Sequence, residues 1–277
     1  MIQDIYPHIY HNAYHETQPQ ENDFILIFHG NRALIRFQED KLRYPTFQET
    51  TDLSCSYLYL FSIDNYRYFL ALDSESPITL PGYTYHEVNI FRTAFSRHTA
   101  FAGITGHHLF GWYQTNRFCG RCGNRLVPDH TERMLRCPVC GNMIYPRISP
   151  AVIVGVVNGD KLLMSKYAGR AYTKYALIAG FTEIGESAEQ TVAREVMEEV
   201  GLQVKNIHYY KSQPWAFSGS LLMGYFAQLD GSDQITLDTS ELSEAGWFTR
   251  EEITLEDDHV SLTREMIQRF KEGKPLF

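Results

Sequence analysis

Between Gly180 and Leu202 the chain reads Gly180-Phe181-Thr182-Glu183-Ile184-Gly185-Glu186, then seven further residues, then Arg194-Glu195-Val196-Met197-Glu198-Glu199-Val200-Gly201-Leu202. Ser187 followed three residues later by Gln190 is a capping box, and Gly201 stands where a left-handed stop is expected, so the pattern predicts a helix over about 188–200. At about 100° per residue, Val192, Val196 and Val200 share one arc that faces a core, while Glu195, Glu198 and Glu199 crowd a neighbouring arc. Like charges at such spacings repel. A hard divalent cation, Mg²⁺ or Mn²⁺, relieves the repulsion because it takes oxygen ligands from carboxylates, water and phosphates. A solvated acidic face would account for the carboxylates but for neither the flanking glycines nor the placement of Glu186 and Arg194.

The rest of the chain bounds what such a helix can belong to. With 277 residues and 44% hydrophobic composition there is enough material for two packed domains. Lys and Arg number 25 against 33 Asp and Glu, a formal net charge of −8 that disfavours a non-specific grip on nucleic acid or an anionic membrane. No apolar run approaches membrane-spanning length, and Met1-Ile2-Gln3-Asp4 lacks the basic start of a secretory signal, so a cytoplasmic protein is expected. Of five cysteines, four stand in two tight pairs and Cys55 stands alone, which suits metal binding in a reducing compartment better than disulfides.

In chain order, the aromatic and β-branched runs Phe24–Phe28, Ala33–Phe37, Ser56–Ile63 and Tyr66–Leu72 predict strands, the last two joined by a hairpin at Asp64-Asn65. From Val88 to Thr115, Phe91, Phe95, Ile104, Leu109 and Trp112 favour one or two helices, giving a small α+β domain over 1–115 with no obvious chemistry. His107 and His108 lack a matching cluster and are expected on the surface or at a cap. Cys119-Gly-Arg-Cys122 and Cys137-Pro-Val-Cys140, fourteen residues apart, set four thiolates for one tetrahedral zinc, a closed and therefore structural site in a ribbon over 116–145. Over 146–277, Ala151–Val157 and Lys161–Tyr167 flank an Asn158-Gly159 turn, and strands are expected at Tyr175–Ala179, Val204–Lys211, Leu221–Gln228 and Ala245–Phe248, with a last helix near Ser261–Lys271. Strands around a central and a C-terminal helix predict an α/β/α sandwich with a mixed sheet.

The Gly180–Leu202 string is similar to the Nudix box, Gly-x5-Glu-x7-Arg-Glu-U-x-Glu-Glu-x-Gly-U with U aliphatic, at each defined position. Ser212-Gln213-Pro214-Trp215-Ala216-Phe217-Ser218-Gly219-Ser220 resembles the SQPWPFPxS motif of the NADH pyrophosphatase branch, with Ala216 and Ser218 in place of two prolines. Tyr145-Pro146-Arg147-Ile148-Ser149-Pro150 and the order of α+β domain, ribbon and Nudix domain resemble the same branch. The resemblance implies metal-dependent hydrolysis of the pyrophosphate link of NAD(H), giving NMN(H) and AMP, by a homodimer. It implies Glu195, Glu198 and Glu199 as ligands of magnesium or manganese, Glu199 foremost, with Glu241 completing the site unless the nearby Glu244 does. It further implies an Arg194–Glu186 ion pair, a turn at Gly180 into the loop, Phe181, Tyr145 and Ile153 around the nicotinamide, and the segment with Gln213, Trp215, Phe217 and Ser220 beside the pocket. Two alternatives stay open within the enzyme class: removal of NAD caps from RNA 5′ ends, held by a basic strip of Arg117, Arg121, Arg125, Arg133 and Arg136, and hydrolysis of other nucleoside diphosphates such as ADP-ribose. A nucleotide-sensing zinc-ribbon regulator is the reading from another class.

Overall fold

The computed structural model describes residues 1–38, 41–72, 76–94, 96–169, 173–254 and 260–277; Phe95 lies outside them. The chain divides into two compact units, Ile2–Arg147, and Ile148–Phe277 together with Met1.

The first unit holds β1 (Tyr10–His11), β2 (Phe24–Leu26), β3 (Phe28–His29), β4 (Arg32–Gln38), β5 (Lys41–Arg43), β6 (Ser56–Ile63), β7 (Tyr66–Leu72), β8 (Thr84–Glu87) and helix α1 (Arg97–Thr115). One sheet runs β1-β6-β7-β2, and a second is built on β4, which pairs with β3, β5 and β8. The β6–β7 hairpin turns at Asp64-Asn65 as expected, with Asp64 in the left-handed region at φ 52°. Ile25, Ile27, Leu34, Tyr59 and Phe69 fill a core between the strands. At Gly103 a Cβ would come within 2.1 Å of the Tyr44 hydroxyl, so glycine there lets α1 settle directly on the ring. Short strands β9 (Val127–Pro128), β10 (Leu135–Arg136) and β11 (Met143–Ile144) form the ribbon meander at the end of this unit. Arg133 ties the ribbon to the β1–β6 sheet: its guanidinium donates to Asn12 Oδ1 at 2.8 Å and to the Leu60 carbonyl.

The second unit contains β12 (Ser149–Asn158), β13 (Lys161–Tyr167), β14 (Ile178–Phe181), α2 (Ala188–Val200), β15 (Gln203–Trp215), β16 (Ser220–Asp230), β17 (Leu242–Thr249) and α3 (Leu262–Lys271). The sheet order is β15-β16-β12-β13-β17, with β14 also on β12, and only the β12–β16 pair is parallel, so the sheet is mixed as expected. The β12–β13 turn is Gly159-Asp160, one residue later than Asn158-Gly159, because Asn158 still pairs with Lys161 and Gly159 alone takes positive φ. Two differences from the sequence expectations matter more. The third strand lies at Ile178–Phe181 instead of Tyr175–Ala179, and β15 continues through Trp215, so the Ser212–Trp215 segment is ladder-bonded strand, not loop.

Each face of this sheet buries one helix. Val192, Val196 and Val200 of α2 pack with Val152, Val154 and Tyr225. Leu262, Met266, Ile267 and Phe270 of α3 pack with Ile153, Phe226 and Met1 on the other side. The alternation of Val152, Ile153 and Val154 between the two cores is the period-two pattern of a central strand covered on both faces. Among the described residues no helix is long and apolar enough to cross a membrane.

Candidate active site

Helix α2 begins and ends as its sequence directs. The Ser187 hydroxyl accepts from the Gln190 amide and the Gln190 side chain accepts from the Ser187 amide at 2.7 Å, while Gly201 at φ 69° donates to the Met197 carbonyl at 2.9 Å. The three glutamates divide: Glu199 is 2% and Glu195 8% exposed, whereas Glu198 projects outward with 59% of its side chain accessible. Helical spacing of four residues puts the two buried carboxylates on the inner side, next to the valine arc.

Arg194 holds the cluster together. Its guanidinium takes the Glu186 carboxylate in a two-point grip at 2.6 and 2.9 Å, reaches Glu195 at 2.7 Å and Glu198 at 2.9 Å through Nη1, and donates to the Phe181 carbonyl at 2.9 Å. Glu186 also accepts from the Glu183 amide and the Thr191 hydroxyl, and the Arg194 contact above all holds its carboxyl down at about 2. The expected Arg194–Glu186 pair is therefore present, and the same arginine offsets part of the carboxylate repulsion that a cation alone seemed required to relieve. Burial is the main cause that raises the Glu195 carboxyl; Arg194 opposes it, and the charges of Glu198 and Glu241 add to it.

The two candidates the sequence left adjacent, Glu241 and Glu244, have different surroundings. The segment before β17 is pinned to the end of α2, where Thr236 and Asp238 donate to the Val200 and Glu199 carbonyls at 2.9 and 3.0 Å, satisfying groups a helix terminus leaves open. Glu241 follows in that pinned segment and lies within electrostatic reach of Glu195. Glu244 is occupied elsewhere, accepting from Lys166 at 2.8 Å and from the Tyr175 hydroxyl.

Gly180 does not make the expected turn. It is a strand residue of β14, paired with Val152, and its φ is not in the left-handed region. A Cβ there would sit 1.9 Å from Glu195 Cδ and 2.1 Å from both carboxylate oxygens, so glycine is needed for close approach. The buried carboxylate lies directly on the strand backbone.

The residues expected to hold a base are distributed differently from one another. Phe181 is 54% exposed at the end of β14. Ladder pairing sets it in one row with Ala151 of β12, Leu222 of β16 and Gln213 of β15, so the box and the Ser212–Ser220 motif lie at the same end of the sheet. Trp215 and Phe217 are half-buried with ring centroids 4.9 Å apart, and Ser220 is buried with its hydroxyl 2.9 Å from that of Ser218. Ile153 and Gln213 correct the sequence reading. Ile153 is 2% exposed within the α3-side core, leaving no surface for a ligand. Gln213 is fully buried, and its amide donates to the Val260 carbonyl at 2.9 Å and accepts from the Leu262 amide at 2.7 Å, fastening the start of α3 to the motif strand. Tyr145, in the other unit, is 53% exposed and donates to Glu132 at 2.9 Å.

Sequence reasoning passed over Thr191, fully buried and bonded to Glu186; a lone hydroxyl on the apolar arc of α2 was the available signal. His107 and His108, expected on the surface or at a cap, are half-buried in the middle of α1 and donate to the Gly30 and Arg147 carbonyls at 3.2 Å.

The four cysteine sulfurs of the ribbon all lie within 4.8 Å of one another, the one group of three or more such donors among the described residues. Their closest separations, 3.4 to 3.6 Å, approach the edge of about 3.8 Å for a tetrahedron with Zn–S near 2.3 Å. The two knuckles repeat one geometry: Gly123 and Gly141, both at positive φ, donate to the Cys119 and Cys137 carbonyls at 2.8 and 3.0 Å. The set fits a structural zinc. Oxygen ligands of the kind a hard divalent ion takes are present at Glu195 and Glu199, both buried, and at Glu241, which is exposed.

Residues 147–270 match the NUDIX domain, and residues 114–145 match the NADH pyrophosphatase zinc ribbon domain. Similar proteins include the NAD-capped RNA hydrolase NudC of Citrobacter koseri, 39% identical over 163 residues that make up 59% of this chain and 63% of that one. The NAD-capped RNA hydrolase NudC of Shigella flexneri is 38% identical over the same shares. The chain thus matches less than two thirds of the length of these relatives. A solved NUDIX hydrolase from Nitrosomonas europaea is similar in structure, with a TM-score of 0.50 and 26% identity over 58% of this chain and 96% of that one. By box and by ribbon alike, the chain combines a NUDIX domain over 147–270 with an NADH pyrophosphatase zinc ribbon domain over 114–145.

Proposed function

We propose that the protein hydrolyses the pyrophosphate link of NAD(H) to NMN(H) and AMP, dependent on magnesium or manganese. The observation that carries this is the buried pair Glu195 and Glu199, the first seated against Gly180 and clamped by Arg194, in a box intact at each defined position. Glu195, Glu198, Glu199 and Glu241 are the residues that would hold the ion, which supplies charge neutralisation at the pyrophosphate and a more acidic attacking water. Arg194 acts as a positioning residue: by gripping Glu186 and the Phe181 carbonyl it fixes the loop to α2, and with it the exposed Phe181 ring at the rim. Phe181, Trp215 and Phe217 offer the apolar faces on which a base can stack, with Tyr145 as a further candidate from the ribbon side of the sequence.

A second reading, removal of NAD caps from RNA, is favoured by the similarity to NAD-capped RNA hydrolases and involves the same bond. The proposed basic strip supports it weakly, since Arg133 is used inside the first unit and Arg136 lies 3.5 Å from Asp129. The reading extends to a cytoplasmic homodimer divided into 1–115, 116–145 and 146–277. Rates on NADH, NAD, ADP-ribose and NAD-capped RNA at one Mg²⁺ or Mn²⁺ concentration test the substrate. A preference for NAD(H) supports the first reading, a preference for the capped RNA supports the second, and equal rates on all remove both. Sedimentation velocity tests the dimer.

A further inference from the structure

The four cysteines of the ribbon are not equivalent. Cys119 and Cys137, which open the two knuckles, are 3% and 1% exposed, whereas Cys122 is exposed and Cys140 half-buried. The difference follows from the backbone. The Cys119 and Cys137 amides donate to the Asn124 and Asn142 carbonyls, each at 2.8 Å, and the Cys119 and Cys137 carbonyls accept from Gly123 and Gly141. The first cysteine of each knuckle is thus pinned through both of its backbone groups, and the second stands at the turn, next to a glycine at positive φ. Gly120, Arg121 and Val139, which complete the turns, are exposed.

The two turn cysteines also meet, with the Cys122 and Cys140 sulfurs 3.4 Å apart. A disulfide spans about 2.05 Å, so the pair has to close by about 1.4 Å, a movement the exposed turns can make without breaking the amide bonds that pin Cys119 and Cys137. The Cys137 sulfur lies equally near Cys122, at 3.4 Å, but that residue is buried and held at both backbone groups. An oxidant arriving from solvent therefore meets Cys122 first and finds Cys140 as the partner that can move. Cys55, the fifth cysteine, stands outside the group.

We infer that Cys122 and Cys140 form an oxidation site, which hydrogen peroxide closes to a disulfide with loss of the ribbon zinc. The Cys122 thiolate attacks one peroxide oxygen, the O–O bond breaks, hydroxide leaves and the sulfur becomes a sulfenic acid. The Cys140 thiolate attacks that sulfur, the S–S bond forms and a second hydroxide leaves. Protons from solvent turn both hydroxides into water, so the two sulfurs are oxidised as the peroxide is reduced. Cys119 and Cys137 then remain as two thiolates where a tetrahedral zinc shell takes four. The oxidation site rests on the zinc shell of the ribbon and not on the reaction of the Nudix domain.

Titrating the full-length, zinc-loaded protein with hydrogen peroxide in the presence of a metallochromic zinc indicator tests this. Remaining thiols are then blocked with N-ethylmaleimide and the chain is digested with trypsin without reductant. Cleavage after Arg121 puts Cys119 and Cys122 on different peptides, and fragmentation at Val139 separates Cys137 from Cys140. The expected result is zinc release in step with a Cys122–Cys140 linkage, maleimide on Cys55, Cys119 and Cys137, and bound zinc at least about tenfold lower at the end of the titration. Dithiothreitol with added zinc restores the zinc content, and Cys55→Ser releases zinc at the wild-type rate. Any other linkage, zinc retained after peroxide, zinc released without a linkage, or a loss that reductant and zinc do not reverse would overturn the assignment. Atomic absorption before treatment separates that failure from a ribbon that holds no zinc, which would overturn the zinc shell and the oxidation site together.

Discussion

Gly180→Ala is the most searching perturbation, because it adds one methyl group at a point where the strand backbone meets the buried carboxylate. The added Cβ would lie 1.9 Å from Glu195 Cδ, against an ordinary carbon contact of about 3.5 Å, so roughly 1.6 Å must be gained. The strand does not yield easily, being held to β12 over four paired residues, and α2 is anchored by three fully buried valines. The Glu195 side chain gives way, and its 2.7 Å bond to Arg194 is lost with it. Overpacking of this kind costs about 1–3 kcal/mol, and a 1 Å misplacement at a reacting site lowers turnover by about 100-fold. Thermal denaturation and kcat at saturating metal read the two effects. The control is Gly180→Ala in a Glu195→Ala background, where the three nearest atoms to the new methyl are gone and the stability cost should fall below about 0.5 kcal/mol. An equal cost in both backgrounds, or wild-type turnover in the single variant, would refute the close-approach explanation.

Glu199→Gln should lower kcat by roughly 10²–10³ with nucleotide binding preserved, since a metal-held carboxylate contributes several kcal/mol to transition-state stabilisation; titration calorimetry beside steady-state kinetics checks both. Cys122→Ser should lower bound zinc below the single ion that the four-cysteine set can hold, and raise amide exchange through 119–141 while the Nudix strands stay protected; atomic absorption and exchange mass spectrometry report each. Glu186 has a folded pKa of about 2 against an ordinary 4.5, so its contribution to stability is complete above about 4.5 and fades as pH falls toward 2. The gap in denaturation midpoint between wild type and Glu186→Gln should accordingly close across that window, and a gap that persists at pH 2 contradicts the assignment.

What the sequence disclosed depended on how locally each feature is determined. The Ser187–Gln190 box, the Gly201 stop and the β6–β7 hairpin rest on chemistry within a few residues, and each lies where it was expected. Ser261 likewise caps α3, accepting from the Arg264 amide. Features that depend on distant partners were not readable in the same way. A glycine before a loop has two physical explanations, φ freedom or close approach, and only the position of a glutamate fifteen residues later chooses between them at Gly180. Acid crowding on α2 argued for a cation, yet Arg194, two turns beyond Glu186, is folded back to take up part of that role. Nor did any periodic trace show that the Thr236 and Asp238 amides hold the segment before Glu241 to the end of α2.

Gln213 shows why membership of a motif does not place a side chain in a pocket. Along β15 successive side chains alternate between the two faces, and Gln213 falls on the α3 side, where both ends of its amide are used by Val260 and Leu262. An amide so fully engaged in the interior cannot be replaced by an apolar residue without orphaning a backbone donor and acceptor, at about 1–3 kcal/mol each. The motif glutamine is thereby accounted for by the docking of α3 against the strand, while the neighbouring aromatic pair, Trp215 and Phe217, keeps partly exposed ring surface to offer a ligand.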